Sequence, residues 1–353
     1  MYLNYIQQMR AIAILFVLAW HTASVFSWAG GGHAYKILQV LFADCSTLMI
    51  FISGYIFQHL LPKYRAKKYY FNKFKYILLP YFLVSLPAVL FFVFVEHKDT
   101  TNLPLGFYDQ SVWLQILNFY LTGTHLAPMW FMPVIFIFFF ISPVLESADK
   151  TKWFYWLLPL YFVLSFYVWR GLPFNSFTHY FSVFVLGMFF SKHKKLFNPI
   201  VQENVMLVIL ITICLGISLM AIITDTLLFH YYIFTQKIVL SIMLIGILLR
   251  FSPKDQSSKN IEFIANSSFS IYLVHSYVLY VAKFLSVKIN LLLNNQQFYL
   301  EGNILIYIVS VVLVLSISIV ITQLSQRIFN TASNCLIGSD NNCVAKAVNA
   351  SHY

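Results

Sequence analysis

The sequence predicts an all-α, multi-pass membrane protein, and three observations carry that prediction. Of its 353 residues 60% are hydrophobic, 19% aromatic and 10% charged, with a mean hydropathy of +0.75, a balance foreign to soluble domains. Hydrophobic runs recur from end to end, and most approach the roughly 20 residues a helix needs to cross the hydrocarbon core. The basic residues fall unevenly on the two sets of connecting loops.

Ten spans follow from the runs, at about 8–28, 37–60, 77–96, 128–145, 153–169, 177–191, 204–224, 232–250, 263–286 and 302–324. The first carries Arg10 and His21 and has no A-x-A cleavage site, so it reads as an uncleaved span rather than a signal peptide. The second ends in Ser53-Gly54, small residues suited to close helix packing. Between the third and fourth, the longest outer loop (97–127) has an amphipathic middle with Trp113, Ile116, Leu117 and Tyr120 near helical spacing. That stretch suits an interfacial helix roofing a cavity. The fifth and sixth runs are short, and one of them has the length of a re-entrant segment. Prolines 80, 133, 143 and 159 are positioned to kink helices.

With the N-terminus in the cytoplasm, 17 of the 23 Lys and Arg residues fall inside. Lys36, Lys98, Arg170, Lys237, Lys283 and Lys288 fall outside. This bias predicts that both termini are cytoplasmic, and it accounts for the net charge of +11 without a nucleic-acid partner. Residues 1–324 form one membrane domain, and 325–353 read as a polar, flexible cytoplasmic tail. The four cysteines make no disulfide framework, and Cys335, Cys343 and His352 in the tail match no known zinc spacing. No metal site is expected.

The most informative feature is the pair Arg10 and His21. They are eleven residues apart, which on a helix is three turns plus about 20°, so both project from one face with Ile14 and Val17 between them. Ionisable groups are costly inside a bilayer and usually face a bundle interior or wet cavity that marks a reaction or transport path. The plainer alternative is a snorkelling Arg10 and a buried, satisfied His21.

The stretch from Arg10 to His21, R-A-I-A-I-L-F-V-L-A-W-H, resembles the start of the bacterial acyltransferase-3 family of integral-membrane O-acyltransferases. MIFISGYIF, NKFKYILLPYF, HLAPMWFMPVIFIF and SFSIYLVHSYVL resemble, in order, its F-F-x-x-S-G-y, basic-R-x-x-x-P, H-L-W-F and S-x-x-I-Y-L-x-H stretches. The likeness runs from about residue 5 to 285. Met49 and Ile50 replace the paired phenylalanines, and Lys73 and Lys75 stand where the family commonly has arginine.

The resemblance implies transfer of an acyl group, usually acetyl, from cytoplasmic acyl-CoA to a hydroxyl of a cell-envelope or secreted polysaccharide, or of a lipid-linked sugar. It implies the plasma (inner) membrane of a bacterium, with the bilayer and other polysaccharide-assembly proteins as partners. Acyl-CoA is then a co-substrate, and no tightly bound cofactor is expected. Arg10, with Lys73 and Lys75, is placed to meet CoA phosphates. His21 is the candidate general base, since imidazole titrates near neutrality, and Asp44 is its candidate orienting partner, the plainer reading being a solvated carboxylate near the outer end of its span. His125, Trp130 and His275 are candidate substrate contacts. For His125 and His275 a structural role stands beside the functional one. For the lysine- and tyrosine-rich 64–75 loop the plainer reading is an anionic-lipid anchor and topology signal. There is no G-x-S-x-G elbow. An exporter or flippase for a glycan or small solute is the competing class; it predicts charges spread over several spans, whereas the intramembrane polar groups concentrate in the first, second and ninth.

Overall fold

The computed structural model describes residues 3–28, 32–98, 103–224, 228–251, 259–294 and 299–338. Those residues are helical almost throughout, with an isolated bridge between Ser27 and Glu301. Among the described residues six helices are long and apolar enough to cross a membrane, and a seventh if one bent pair is a single span. Ten runs were expected. The helices α1 (Asn4–Ala23) and α11 (Pro173–Lys192) have 20 residues each, enough for a crossing, but polar side chains such as Gln7, Gln8, Arg10, Asn175 and His179 dilute their hydropathy. α10 (Leu158–Tyr167) is apolar but has 10 residues. Cys343, His352 and Lys346 lie outside the described residues.

The chain divides into two compact units. The first comprises residues 1–59, 183–268 and 278–319. α1 lies deep in it, with Ile6, Met9, Ala13, Ile14 and Leu18 all buried. It packs on α2 (His33–Phe42), α14 (Leu228–Phe251) and α15 (Lys259–Asn266). α3 (Ser46–Leu60) meets the end of α11 through two glycines. A Cβ added at Gly54 would stand 2.0 Å from the Phe184 carbonyl oxygen, and one at Gly187 would stand 2.1 Å from that of Phe51. The packing role read for Ser53-Gly54 is thus what the backbone requires at Gly54. α12 (Lys194–Val201), α13 (Asn204–Ile223), most of α16 (Ser268–Asn294) and the start of α17 (Ile304–Phe329) complete this unit.

The second unit comprises residues 60–182, 269–277 and 320–353. α4 (Ala66–Lys73) runs into α5 (Leu79–Phe94) through a π-helical turn at Phe74–Leu78. Pro80 explains the wider turn, because its ring clashes with the carbonyl four residues back in a regular helix. α6 (Val112–Thr122) and α7 (Phe131–Phe140) bend by 76° around a short break. Gly123 makes that corner: its φ is +70°, and a Cβ there would meet the Met129 carbonyl oxygen at 2.4 Å. α6 therefore joins α7 as half of a bent pair; Trp113, Leu114, Leu117 and Leu121 stay exposed while Phe119 is buried. α8 (Ser142–Asp149), α9 (Trp153–Trp156) and α10 follow. α17 continues through residues 325–329 of the expected tail, and a further turn, α18 (Ser333–Leu336), packs on α5.

Candidate active site

Arg10 and His21 are both half-buried, and the stripe between them, Ile14 and Val17, is buried. Their face of α1 is therefore turned into protein. The Arg10 guanidinium is oriented at two nitrogens: Nη1 donates to Gln7 Oε1 and Nη2 to Ser268 Oγ, each at 3.1 Å. Gln7 is three residues before Arg10, the helical spacing at which side chains meet. Ser268 is 258 residues away and opens the SFSIYLVH stretch.

The far end of α1 is held by aromatic side chains. Tyr307 Oη donates to the Ala19 carbonyl at 3.0 Å, and Trp28 Nε1 to that of Ala23 at 2.9 Å. Tyr35 lies between Trp20 and Trp28, near-parallel to both, with centroids 6.4 and 5.7 Å away. All three rings are half-exposed, and Trp20 is the residue next to His21 in the chain.

Asp44 occupies the break between α2 and α3. It is buried, has a φ of +57°, and accepts a hydrogen bond from Thr47 Oγ1 at 3.2 Å. Phe16 packs on Phe42, and Tyr5 Oη meets Tyr55 Oη at 2.6 Å. These pairings run α2 and α3 antiparallel to α1 and set the break between the levels of Arg10 and His21.

A second polar group lies in the other unit. His125 is fully buried at the α6–α7 break. Its Nδ1 meets the Phe119 carbonyl at 3.1 Å, so that nitrogen carries the hydrogen, and Nε2 is buried with no hydrogen-bond partner among the described residues. Lys98, expected in an outer loop, donates through Nζ to the Thr124 and His125 carbonyls at 2.7 and 3.0 Å. Trp130 is half-buried and stacks on Tyr180 with ring centroids 6.1 Å apart. The Tyr272 hydroxyl donates to the Pro128 carbonyl. His275 is fully buried, and its Nδ1 meets the Ile271 carbonyl at 3.1 Å. Ser268, Tyr272 and His275 fall at i, i+4 and i+7 of α16, hence on one helix face. Lys73 and Lys75 are half-buried; Lys73 Nζ lies 4.3 Å from the Phe139 ring centroid and 5.3 Å from that of Tyr69, and Lys75 Nζ 5.4 Å from Tyr76. Both thus carry cation–π contacts as well as charge.

The geometry brings Arg10 together with the start of α16, and the α6–α7 turn together with Tyr272. Sequence reasoning missed Gln7, Ser268, Lys98 and Lys237. Helical spacing from Arg10 pointed to Gln7, and Lys237 stood inside a hydrophobic run, the usual mark of a functional intramembrane charge. Counted with the outer residues, Lys237 is instead fully buried in the first unit, so the buried polar groups extend to the eighth run beyond the first, second and ninth expected. Among the described residues no group of three or more His, Cys, Asp or Glu side chains converges as a metal site would require.

A family model described as an acyltransferase domain matches residues 3–323, nearly the whole chain. No curated protein and no solved structure matched it. The order of the sequence stretches, the helical fold with its candidate spans and this match agree: the chain belongs to the acyltransferase-3 family of membrane O-acyltransferases.

Proposed function

We propose that the protein moves an acyl group, most simply acetyl, from cytoplasmic acyl-CoA to a hydroxyl of a cell-envelope or secreted polysaccharide, in the plasma membrane of a bacterium with both termini inside. The observation that carries this reading is the Arg10–Ser268 hydrogen bond. It joins two stretches of the family resemblance, far apart in sequence, at the one arginine of the first helix.

In the proposed reaction the acceptor hydroxyl oxygen attacks the thioester carbonyl. His21 takes the hydroxyl proton, the new C–O bond forms, the C–S bond breaks, and the proton passes on to the departing thiolate to give free CoA thiol. A thioester already has a good leaving group, so orientation and one base supply the catalysis. Arg10, held in plane by Gln7 and Ser268, serves the polar arm of the donor, with Lys73 and Lys75 adding positive charge near the membrane surface. Asp44 is the partner that orients His21 and stabilises its cationic form. His125, Trp130 and His275 contact substrate in the second unit, and the Trp20–Tyr35–Trp28 rings offer flat apolar faces to sugar.

The bent pair α6–α7 and the broken α2–α3 span are features that an exporter or flippase would share. Mass spectrometry of envelope and secreted glycans, with and without the gene, separates the two. An acyltransferase changes the mass of a sugar by one acyl unit. A flippase changes where a glycan lies, with its mass unaltered, and that outcome would overturn the proposal.

A further inference from the structure

The span that carries Asp44 is not one continuous helix. α2 ends at Phe42 and α3 begins at Ser46, and Asp44 between them is in the left-handed region. At such an end the last carbonyls of the first helix lose their helical partners. The Ala43 N–H takes that of Gln39 at 2.8 Å. The next two, Val40 and Leu41, both accept from one ammonium: Lys237 Nζ donates to them at 2.8 and 3.0 Å, and to Gln236 Oε1 at 2.6 Å. An ammonium has three N–H groups, and here each has an acceptor. Lys237 is 0% exposed and lies within α14, itself apolar and long enough to be a span.

The charges match the helix ends. A cation sits at the negative end of α2, and a carboxylate sits beside the positive end of α3, where each is stabilised by the peptide dipoles. Asp44 is among the charges that act on Lys237. The same device recurs in the second unit, where Lys98 Nζ takes two carbonyls at the α6–α7 break that carries His125. A lysine that only capped a helix would be an expensive choice in this setting, since a hydroxyl or amide could take those carbonyls without a buried charge.

We propose that Lys237 is a positioning residue for acyl transfer: it clamps the break in the second span and so fixes the Asp44 carboxylate. This rests on the reading of Asp44 as the partner of His21. Cys45, next to Asp44 and 2% exposed, gives a reporter of the break that does not depend on activity.

The test uses the full-length protein in native membranes, with Lys237→Met, Lys237→Arg, Asp44→Asn and the double variant Lys237→Met/Asp44→Asn at matched abundance. Acyl content of glycans is read by mass spectrometry. Cys45 is read with a membrane-permeant maleimide in a background where the other three cysteines are replaced. Lys237→Met is expected to lower acylation about tenfold or more and to expose Cys45 to labelling. Lys237→Arg, which keeps the cation and its donors, restores most of both. The double variant is expected to fall no lower than the worse single one, the signature of two residues acting as a unit. If Lys237→Met does not accumulate, Lys237→Gln takes its place, with the same expectations. Wild-type acylation in Lys237→Met alongside an inactive Asp44→Asn overturns the proposal on its own account, as do multiplying losses in the double variant or a Cys45 that stays protected. Wild-type acylation in Asp44→Asn overturns it through the reading it rests on.

Discussion

Replacing Gly54 by alanine tests the packing that holds α3 against α11. The added Cβ would stand 2.0 Å from the Phe184 carbonyl oxygen, where ordinary contact begins at 3.4 Å. The shortfall of about 1.4 Å is against backbone, so no rotamer change relieves it and the helices must separate. Overpacking a tight contact costs about 1–3 kcal/mol and occasionally more, and separating two packed helices by an ångström forfeits a quarter to a half of each dispersion contact along them. About 3 kcal/mol or more is expected. At about 2–4 °C per kcal/mol for a domain of some 200 residues, the melting temperature should fall by roughly 6–12 °C. Detergent-solubilised protein heated in steps and followed by size-exclusion chromatography measures it. Gly216→Ala is the internal control: nothing lies within 4 Å of a Cβ there, and alanine in a helix is about 1 kcal/mol better than glycine. Gly187→Ala, whose Cβ would meet the Phe51 carbonyl oxygen at 2.1 Å, should behave like Gly54→Ala. A Gly54→Ala protein that melts with Gly216→Ala would refute the reasoning.

Other perturbations have equally definite outcomes. Arg10→Lys keeps the charge but loses the planar fork shared between Gln7 and Ser268, so acylation should drop about tenfold while membrane abundance holds; quantitative glycan mass spectrometry against an immunoblot measures both. Tyr272→Phe removes the donor to the Pro128 carbonyl in a buried site and should cost about 1–3 kcal/mol, read as a lower melting temperature. Lys98→Met leaves the Thr124 and His125 carbonyls without that ammonium and should loosen the α6–α7 corner, seen as faster proteolytic nicking near residue 124 in inverted or right-side-out vesicles.

Much of the fold was legible because a bilayer permits so little else: apolar runs of spanning length, parted by basic loops, must be helices. What the runs could not show was where a span breaks. The α2–α3 break falls inside an apolar stretch, and its stabilising partner, Lys237, comes from a helix almost 200 residues later. Hydropathy sees only the chain within its window, so it read 37–60 as one helix. The α6–α7 corner falls at the boundary already drawn between the outer loop (97–127) and the fourth span; what no hydropathy window could show is its fastening, since Gly123 and Lys98 act together only after folding. At the candidate site, the shared face of Arg10 and His21 was readable from helical period alone. Its Ser268 partner needed the long-range contact, although the stretch that Ser268 opens had already been singled out by resemblance.

His21→Ala, expressed at wild-type abundance in cells lacking the native gene, puts the proposed chemistry to its most direct trial. Mass spectrometry of the glycans should find the acyl increment restored by the wild-type protein and missing from the variant. An increment of full size made by His21→Ala would contradict the assignment of that imidazole as the base, and with it the catalytic reading of the first helix.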